Sequence, residues 1–443
     1  MREREATIRV GILTGRREIG GCFNGIFLGP DEKVMSGDFR FSVAADGSLT
    51  LRTDAGVRSL PAGKFCCRPQ GTADFSLAEV TIGVNFHWQR QETQTFQGAL
   101  SVLTAADGSL TAVNEIALED YLRSVIASEM SATAPSEFLK AHAVMSRSWL
   151  MAMLAKNDEH DPDGPPEQQV GEGEVRRWYG REEHDLFDVC ADDHCQRYQG
   201  VTKIISEEVR RAIDATRGVM LVYEGRICDA RYHKACGGRT EDFANVWEEI
   251  PVPYLTSIAD GPETFPPVTS EEEADHWIHA APPAYCNTGD IAALRQVLPS
   301  FDQETPDFFR WEVSYARPDL ETLLLKKSGL AFGELHALTP LARGPSGRII
   351  RLKIEGSQRT VIVGKELEIR RWLSPSHLYS SAFIVGTERD TEGKATRFTL
   401  HGAGWGHGVG LCQIGAAMMA LRGFGMEAIL GHYFPGATLE KIY

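Results

Sequence analysis

The sequence contains no apolar run that approaches the roughly 18 residues of a membrane-spanning helix, so we expect no transmembrane segment. Basic residues are scarce relative to acidic ones: 46 Lys and Arg stand against 61 Asp and Glu, for a formal net charge of −15. No basic stripe is present to meet the phosphates of a nucleic acid, so we expect no nucleic-acid partner. A signal-peptide pattern is missing as well, because residues 1–6 lead directly into a strand-like segment. What remains is an ordinary globular composition, with 42% hydrophobic and 24% charged residues.

Near the end of the chain, the run from His401 to Gln413 has glycine at every second position from 402 to 410. Glycine strips side chains from a strand-like segment, so something is expected to approach the backbone closely. The chain continues with Val409 and Gly410 rather than with the Gly-Lys-Ser/Thr of a phosphate loop. Histidine, tryptophan and glutamine remain between the glycines, and these residue types bind uncharged polar ligands such as sugars. The run therefore predicts one wall of a binding site; a tight turn around a buried histidine is the alternative.

Two predicted helices carry an acid and a cation. Apolar residues between 118 and 126 repeat with the spacing of one helix face, and this segment ends in Glu129. Ser136 is a suitable N-cap for a second helix, on which Arg147 lies one turn after Ala143 of the buried stripe. A guanidinium that faces a core needs a carboxylate partner, and Glu129 is a candidate partner for Arg147.

Four blocks of the sequence resemble, in order, the motifs of one protein family. They are Glu119–Leu122 through Glu129 and Met130, Leu139–Val144 with Arg147, His233–Thr240 with Trp247 and Pro253–Leu255, and the glycine–histidine run continuing to Gly436. The family is the SpoIID/LytB family, bacterial peptidoglycan-active proteins that include lytic transglycosylases similar to stage II sporulation protein D. The chain departs from the family pattern at Cys236 and Cys412, where serine is common. Neither change removes an acid, a base or a cation.

The resemblance implies that the chain is an enzyme that cleaves peptidoglycan glycan strands by lytic transglycosylation. In that reaction the 6-hydroxyl of N-acetylmuramic acid attacks its own anomeric carbon, and a 1,6-anhydromuramic product forms without an activated water. Glu129 is expected to act as acid and base, and Arg147 to orient Glu129 or bind a substrate oxygen. The substrate-binding residues that the motifs imply are His233, Gly237, Gly238, Thr240, Tyr254, Trp405, His407 and Gln413.

Two alternatives stay open. In the first, the chain is a non-catalytic peptidoglycan-binding enhancer of a cell-wall amidase. In the second, it is a zinc-dependent cell-wall hydrolase. Retained Glu129 and Arg147 favour the transglycosylase over the enhancer. The expected partners are peptidoglycan glycan strands and, for the enhancer, the amidase. Each alternative predicts a place in the cell envelope outside the cytoplasm, periplasmic or wall-associated, although the chain begins without a visible signal peptide.

The nine cysteines give a second chemical signal. His184, Cys190, His194 and Cys195 bring two thiols and two imidazoles within a dozen residues, a density that suits tetrahedral zinc. We predict His184, Cys190 and Cys195 as ligands of a structural rather than catalytic zinc, with His194 as fourth ligand or as support. Some members of the family that the chain resembles have a His/Cys metal site in this region. A local disulfide or a pair of buried thiols is the alternative.

Cys236 and Cys412 stand in motifs that are expected to line the same cleft. We predict that they lie near each other, and we hypothesise a disulfide between them.

The strand and helix patterns predict an α+β fold, with a β-rich N-terminal region and a second β-rich segment around a discontinuous helical catalytic core. The expected divisions are a β-rich region at 1–110, the core at 111–260 with an insertion near 156–173, an irregular excursion at 261–310, a β-rich subdomain at 311–386, and the Gly/His motif at 387–443, which completes the catalytic cleft.

Overall fold

The structure is a computed structural model, and it describes residues 4–443 except 45–46, 62, 84–88, 106, 159–167, 172, 180–183, 193, 203–205, 300–301 and 304–306. With 25% helix and 39% strand, the fold is α+β with large sheets and scattered helices, and the predicted fold class is confirmed. The chain divides into two compact units. Unit 1 comprises Met1–Thr133, Glu183–Val219 and Lys441–Tyr443, and unit 2 comprises Ala134–Glu182 and Met220–Glu440.

The elements of the first half are β1 (Thr7–Arg16), β2 (Glu18–Leu28), β3 (Val34–Val43), β4 (Leu49–Thr53), β5 (Gly56–Leu60), β6 (Lys64–Pro69), β7 (Asp74–Ile82), β8 (Arg90–Gln97), β9 (Ala99–Thr104), β10 (Leu110–Ala117), α1 (Leu118–Glu129), α2 (Ser136–Asp158), β11 (Gln168–Gly171), β12 (Glu174–Arg177), β13 (Val189–Cys190) and α3 (Glu207–Ala215). The elements that follow are β14 (Val219–Tyr223), β15 (Arg226–Ile227), β16 (Tyr232–His233), α4 (Phe243–Val246), α5 (Glu271–Ala280), α6 (Ile291–Val297), β17 (Arg310–Ala316), α7 (Arg317–Ser328), β18 (Leu335–Arg343), β19 (Ile349–Gly356), β20 (Thr360–Gly364), α8 (Glu366–Trp372), β21 (Phe383–Arg389), β22 (Ala395–Ala403), β23 (Leu411–Cys412), α9 (Gln413–Leu421), α10 (Met426–Tyr433) and β24 (Thr438–Lys441).

Unit 1 is built on an 11-stranded sheet in the order β13-β1-β10-β9-β6-β2-β3-β4-β5, with β7 pairing with both β2 and β8. Alternating sequence produces its strands: Phe39 and Phe41 of β3 are buried, whereas Arg40 between them is exposed. Helix α1 follows β10 directly, and its predicted apolar face is buried, including Leu122 and Ile126. This packing fixes the end of the helix at which Glu129 lies.

Unit 2 contains α2, a five-stranded sheet (β11-β12-β20-β19-β18), a three-stranded sheet (β17-β22-β21) and the short pair β16-β23. A hydrophobic core that includes Trp311, Leu324, Ile354 and Phe398 joins the larger sheets to α7 and α8. The parallel pair of β16 with β23 sets Tyr232 opposite Leu411 and His233 opposite Cys412. Two predicted motifs that are distant in sequence are therefore neighbours in unit 2.

The segment 261–310 was expected to be irregular, yet it contains α5 and α6. The start of α5 is a capping box, in which the Ser270 hydroxyl accepts from the Glu273 amide and the Glu273 carboxylate accepts from the Ser270 amide. Trp277 and Ile278 bury one face of the helix. In the predicted insertion, α2 continues to Asp158 and β11 begins at Gln168; residues 159–167 lie outside the described residues. Among the described helices, none is long and apolar enough to cross a membrane.

Candidate functional site

Glu129, the predicted catalytic acid, is the last residue of α1 in unit 1 and is only 8% exposed. Its Oε1 accepts a hydrogen bond from the backbone N–H of Arg197 at 2.9 Å. The Arg197 guanidinium in turn donates to the Ser128 carbonyl at 3.4 Å. The carboxylate is thus held by a buried helix end and by the backbone of a second segment of unit 1.

Arg147 lies in the middle of α2 in unit 2 and is completely buried, as its position on the helix predicts. Its Nη1 lies 3.5 Å from the Ala143 carbonyl one turn earlier. Glu129 belongs to unit 1 and Arg147 to unit 2, and their pairing stays a prediction.

His142, on the same helix as Arg147, faces Gln413 at the start of α9. The Gln413 Nε2 lies 3.2 Å from the His142 Nε2, so the amide donates when the imidazole is neutral. Burial lowers the pKa of His142 to about 3, and the charge of Lys234 adds to the shift. This contact anchors Gln413, a predicted substrate-binding residue, to His142, which was not among the predicted site residues although it lies in a matching block.

Val409 fixes the orientation of two predicted substrate-binding residues, His233 and His407. The His233 Nδ1–H donates to the Val409 carbonyl at 3.1 Å, and the Val409 N–H donates to the His407 Nδ1 at 3.1 Å. Since His407 accepts at Nδ1, its neutral ring carries the proton on Nε2, whereas His233 carries it on Nδ1. The His233 Nε2 is buried and has no hydrogen-bond partner among the described residues. The pair therefore offers one acceptor and one donor.

Both imidazoles are held neutral. Burial lowers the pKa of His233 to about 3, with a further contribution from the Arg348 charge. Burial also lowers the pKa of His407 well below its usual range, and the nearby His233 and Arg231 add to the shift. Neutral rings bind hydroxyl and amide groups without attracting an anion.

The glycine–histidine run is not a continuous strand. β22 ends at Ala403, and Gly404, Gly406, Gly408 and Gly410 all have positive φ, from 72° to 98°. The predicted close approach is confirmed, but the approaching atoms belong to the protein. A Cβ at Gly408 would lie 2.5 Å from the Arg348 Cζ, and one at Gly410 only 2.1 Å from the Arg231 carbonyl.

The guanidinium of Arg348 organises this turn from inside unit 2. It is fully buried and donates to the carbonyls of Gly406, at 3.0 Å and 3.2 Å, and of Cys236, at 3.2 Å. Arg348 therefore ties the glycine–histidine run to the Cys-Gly-Gly block.

Aromatic rings lie beside the histidines. The ring centroids of Trp247 and His407 are 4.9 Å apart, and the Arg231 guanidinium lies 4.3 Å from the Trp247 centroid. Asp229 orients that guanidinium through contacts of 2.9 Å and 3.0 Å. Trp247 and Arg231 were not among the predicted site residues. Trp247 belongs to a matching block, and Arg231 lies two residues before the start of that block at His233. Both side chains are partly exposed and can reach a ligand.

Trp405, a predicted ligand in the glycine–histidine run, packs against Tyr379 with ring centroids 4.6 Å apart and against Phe308 at 5.0 Å. It is partly exposed, so part of the ring remains open to solvent.

The other predicted substrate-binding residues make contacts within the protein. The Thr240 hydroxyl is buried, accepts from the Ile258 N–H at 2.8 Å and donates to the Thr256 carbonyl at 3.2 Å. The Tyr254 hydroxyl accepts from the Asp229 N–H at 3.1 Å. Gly237 and Gly238 both adopt positive φ in a turn that packs against the glycine–histidine run at Gly404 and against Trp277. Their roles in binding stay predictions.

The predicted metal cluster is assembled in unit 1. One ligand atom from each of His184, Cys190, His194 and Cys195 lies within 4.8 Å of the others. The Cys195 Sγ is 3.4 Å from the His184 Nε2 and 3.5 Å from the His194 Nδ1, which is 3.8 Å from the Cys190 Sγ. Tetrahedral zinc with these ligand types separates its donor atoms by about 3.3–3.8 Å. The four side chains fit such an ion, and neither Cys190 nor Cys195 is in a disulfide.

The hypothesis of a Cys236–Cys412 disulfide is wrong in part. The two residues are close, since the Cys236 N–H donates to the Cys412 Sγ at 3.3 Å, but both are free thiols. The Cys236 Sγ lies instead 3.4 Å from the Sγ of Cys286, well beyond the bond length of a disulfide. Cys286 lies in the segment 261–310, and its sequence neighbourhood indicates no role.

Comparison with known proteins adds an independent line of support. Residues 106–223 match the family described as stage II sporulation protein (SpoIID), and residues 241–410 match a domain of unknown function, DUF8618. An uncharacterised protein of Brachyspira hyodysenteriae is 27% identical over 349 residues, which cover 78% of this chain and 72% of that protein.

Other relatives carry functional names. The stage II sporulation protein D of Bacillus amyloliquefaciens is 25% identical over 331 residues, covering 74% of this chain and 76% of that protein. The amidase enhancer of Bacillus subtilis is 24% identical over 260 residues, covering 53% of this chain and 33% of that protein. The matched domain begins just before β10 and includes α1 and α2, which carry Glu129 and Arg147. The SpoIID domain match and the relatives named stage II sporulation protein D support a SpoIID-family protein, as the motifs predicted.

Proposed function

We propose that this SpoIID-family protein acts on the bacterial cell wall and that it cleaves peptidoglycan glycan strands by lytic transglycosylation. One observation carries the proposal: Glu129 is a nearly buried carboxylate at the fixed end of α1, held by the backbone N–H of Arg197. Such a group is positioned to transfer protons. The names of the relatives, a sporulation protein and an amidase enhancer, support the wider cell-wall function.

In the proposed reaction Glu129 acts first as acid and then as base. Its carboxyl proton passes to the glycosidic oxygen as the bond from that oxygen to the anomeric carbon of N-acetylmuramic acid breaks. The resulting carboxylate accepts the proton of the 6-hydroxyl as its oxygen bonds to the same carbon. The products are a 1,6-anhydro end and a free hydroxyl end, and Glu129 is protonated again, so one carboxyl group suffices.

The neutral histidine pair of unit 2 supports glycan binding. The His233 Nε2 can accept from a sugar hydroxyl or acetamido N–H, and the His407 Nε2–H can donate to an oxygen. The partly exposed faces of Trp247 and Trp405 suit stacking against a pyranose ring. Gln413 and the turn at Gly237 and Gly238 complete the proposed binding residues, and Arg147 is assigned to orient the acid or to bind a substrate oxygen.

A zinc ion fits the cluster of His184, Cys190, His194 and Cys195. Four protein ligands would close the coordination shell of a bound zinc, which is typical of a structural site and would leave no position for a catalytic water. When bound, the ion would supply folding free energy to the segment around residues 184–200. This closed ligand set argues against the zinc-dependent hydrolase. Thr240 and Tyr254 are assigned to glycan binding and not to the metal.

Peptidoglycan as substrate implies that the protein works outside the cytoplasm, in the periplasm or at the wall.

Product analysis distinguishes the candidate functions. Intact and peptide-stripped peptidoglycan are digested with the purified protein and analysed by mass spectrometry. We expect muropeptides or glycan fragments that end in 1,6-anhydromuramic acid. Reducing ends alone would indicate a hydrolase, and the absence of cleavage together with stimulation of a wall amidase would indicate an enhancer; either result contradicts the proposal.

A further inference from the structure

A second group of metal-binding side chains lies in unit 2, and it has no part in the proposed cleavage. It consists of Cys236, Asp260, Cys286 and Cys412, whose ligand atoms all lie within 4.8 Å of one another. All four residues are at most 2% exposed. The Cys236 Sγ is 3.4 Å from the Cys286 Sγ and 3.0 Å from the Asp260 Oδ2. These separations approach the donor spacing of about 3.3–3.8 Å around tetrahedral zinc.

The Asp260 carboxylate is oriented as a one-oxygen ligand. Its Oδ1 accepts from the Tyr433 hydroxyl at 2.7 Å and lies 3.2 Å from the His432 Nε2. Its Oδ2 points instead toward the thiols. Metal-binding carboxylates are commonly held in this way by hydrogen bonds to the oxygen that does not face the ion.

Backbone N–H groups are aimed at the sulfur atoms. The Gly238 N–H donates to the Cys236 Sγ at 3.2 Å, and the Cys412 Sγ accepts from the N–H groups of Cys236 and Gly415, both at 3.3 Å. Such donors stabilise thiolates, the form of cysteine that binds metals. Gly415 is needed here because a Cβ would lie 2.6 Å from the Asp260 Oδ2 and 3.2 Å from the Cys412 Sγ. The partly buried Arg310 donates to the neighbouring Gly237 carbonyl at 3.0 Å.

We propose that Cys236, Asp260, Cys286 and Cys412 bind one zinc ion, distinct from the site at residues 184–195. Three buried thiols and a buried carboxylate would be costly in charged form, and a divalent ion at their centre offsets that cost. Sulfur ligands favour zinc over magnesium or calcium. An iron–sulfur cluster typically takes thiolates from four cysteines, and the fourth ligand here is a carboxylate.

The position of this second site indicates a structural role. Cys236 directly precedes Gly237 and Gly238, and Cys412 directly precedes Gln413, so two ligands flank predicted glycan-binding residues. Cys286 comes from the segment between α5 and α6. The ion would therefore tie this segment to both motifs of the pair β16-β23. The inference does not depend on the proposed cleavage, because metal binding is read without substrate.

Native mass spectrometry of the full-length protein, purified under reducing conditions without chelator, tests the proposal. We expect two zinc ions per chain. Cys286→Ser should retain one, Cys190→Ser should retain the other, and Cys228→Ser, a buried thiol outside both clusters, should retain two. The mass of the denatured protein should equal that of the fully reduced chain.

Three results would overturn the second site. One is a single zinc that survives in Cys286→Ser and is lost in Cys190→Ser; another is no zinc at all. The third is a denatured mass lower by two hydrogens under non-reducing conditions, with the bridge mapped to Cys236, Cys286 or Cys412. If Cys286→Ser does not fold, cobalt(II) loaded into the Cys190→Ser protein decides: thiolate-to-cobalt absorption is expected from the second site, and its absence refutes it.

Discussion

Val409 shows how one residue sets the chemistry of two others. Its carbonyl accepts a hydrogen bond from the His233 Nδ1–H and its N–H donates one to the His407 Nδ1, so the free Nε2 of His233 is an acceptor and that of His407 a donor. Neutral imidazoles are required for this arrangement. Protonation of either ring would create a buried cation, and protonation of both would place two like charges on rings whose centroids are 5.6 Å apart.

The buried histidines predict acid sensitivity of folding. The pKa values of His142 and His233 are lowered from 6.5 to about 3. In the unfolded chain these groups take up protons at higher pH than in the folded protein, so their contribution to stability is complete above pH 6.5 and is lost as the pH falls toward 3. Each lowers the free energy of unfolding by about 1.4 kcal/mol per pH unit within that window.

Thermal unfolding at a series of pH values checks this expectation. The decline below neutral pH should be shallower in His142→Gln than in the parent, whereas the exposed His336→Gln should follow the parent. Equal slopes in all three proteins would refute the assignment.

Gly408 predicts a second effect at the scale of one residue. It has a φ of +85°, and a Cβ would lie 2.5 Å from the Arg348 Cζ. Gly393 has a φ of +81° but nothing within 4 Å of a Cβ. Gly393→Ala should cost about 1–2 kcal/mol for backbone strain alone. Gly408→Ala should cost more in urea unfolding, because it also displaces a buried guanidinium; equal costs would show that the Arg348 contact is unimportant.

Single residues also mark the limit of what the sequence could predict. The proximity of Cys236 and Cys412 followed from motifs that were expected to share a cleft. The third thiol, Cys286, lies 50 residues after Cys236, and no local spacing connects it with them. Asp260 was missed for the same reason: its role depends on the tertiary position of Tyr433 and not on a motif.

At the scale of elements, the pairing of the short strand β13 predicts which segment depends on the first metal site, at residues 184–195. Its pairing with β1 sets Cys190 opposite Gly11, and a Cβ on Gly11 would collide with Phe187 at 2.5 Å. Removal of the ion should loosen the segment around residues 184–200 and leave most of the β-sheet intact. Hydrogen exchange before and after chelation measures this directly. Cys195→Ser should show the loosened pattern without chelator, and Cys22→Ser should not; unchanged exchange after verified zinc loss would contradict the expectation.

Periodicity predicted some elements well and others poorly. Helix α1 was predictable because its apolar residues repeat with one period and all fall on the buried face. Helix α5 was missed, although Ser270 and Glu273 form a capping box that the sequence displays. The frequent Pro, Glu and Asp around it concealed the short apolar stripe of Ala274, Trp277 and Ile278. The glycine run was expected to be strand-like, but its positive φ angles depend on the packing of Arg348 and Arg231, which are distant in sequence.

For the whole molecule, the α+β class and the SpoIID family were predictable from the sequence, because motifs and strand patterns span most of the chain. The division into two compact units, each built from separated segments, was not. Residues 134–182, which include α2, belong to unit 2, whereas the next segment, 183–219, belongs to unit 1. Only long-range contacts determine such an arrangement. The proposed reaction assigns the acid to unit 1 and glycan binding to unit 2.

The most direct test of the central claim is the release of 1,6-anhydromuramic products by Glu129→Gln. Glutamine keeps the shape of the side chain and its acceptor for the Arg197 N–H but removes the transferable proton. We predict that turnover falls by about 10²–10⁴ while glycan binding survives, as expected for loss of a general acid. Glu119→Gln, a buried acid of the same helix that accepts from the Gly218 N–H, should retain activity as the matched control. Release of anhydro products by Glu129→Gln at the parental rate would contradict the account.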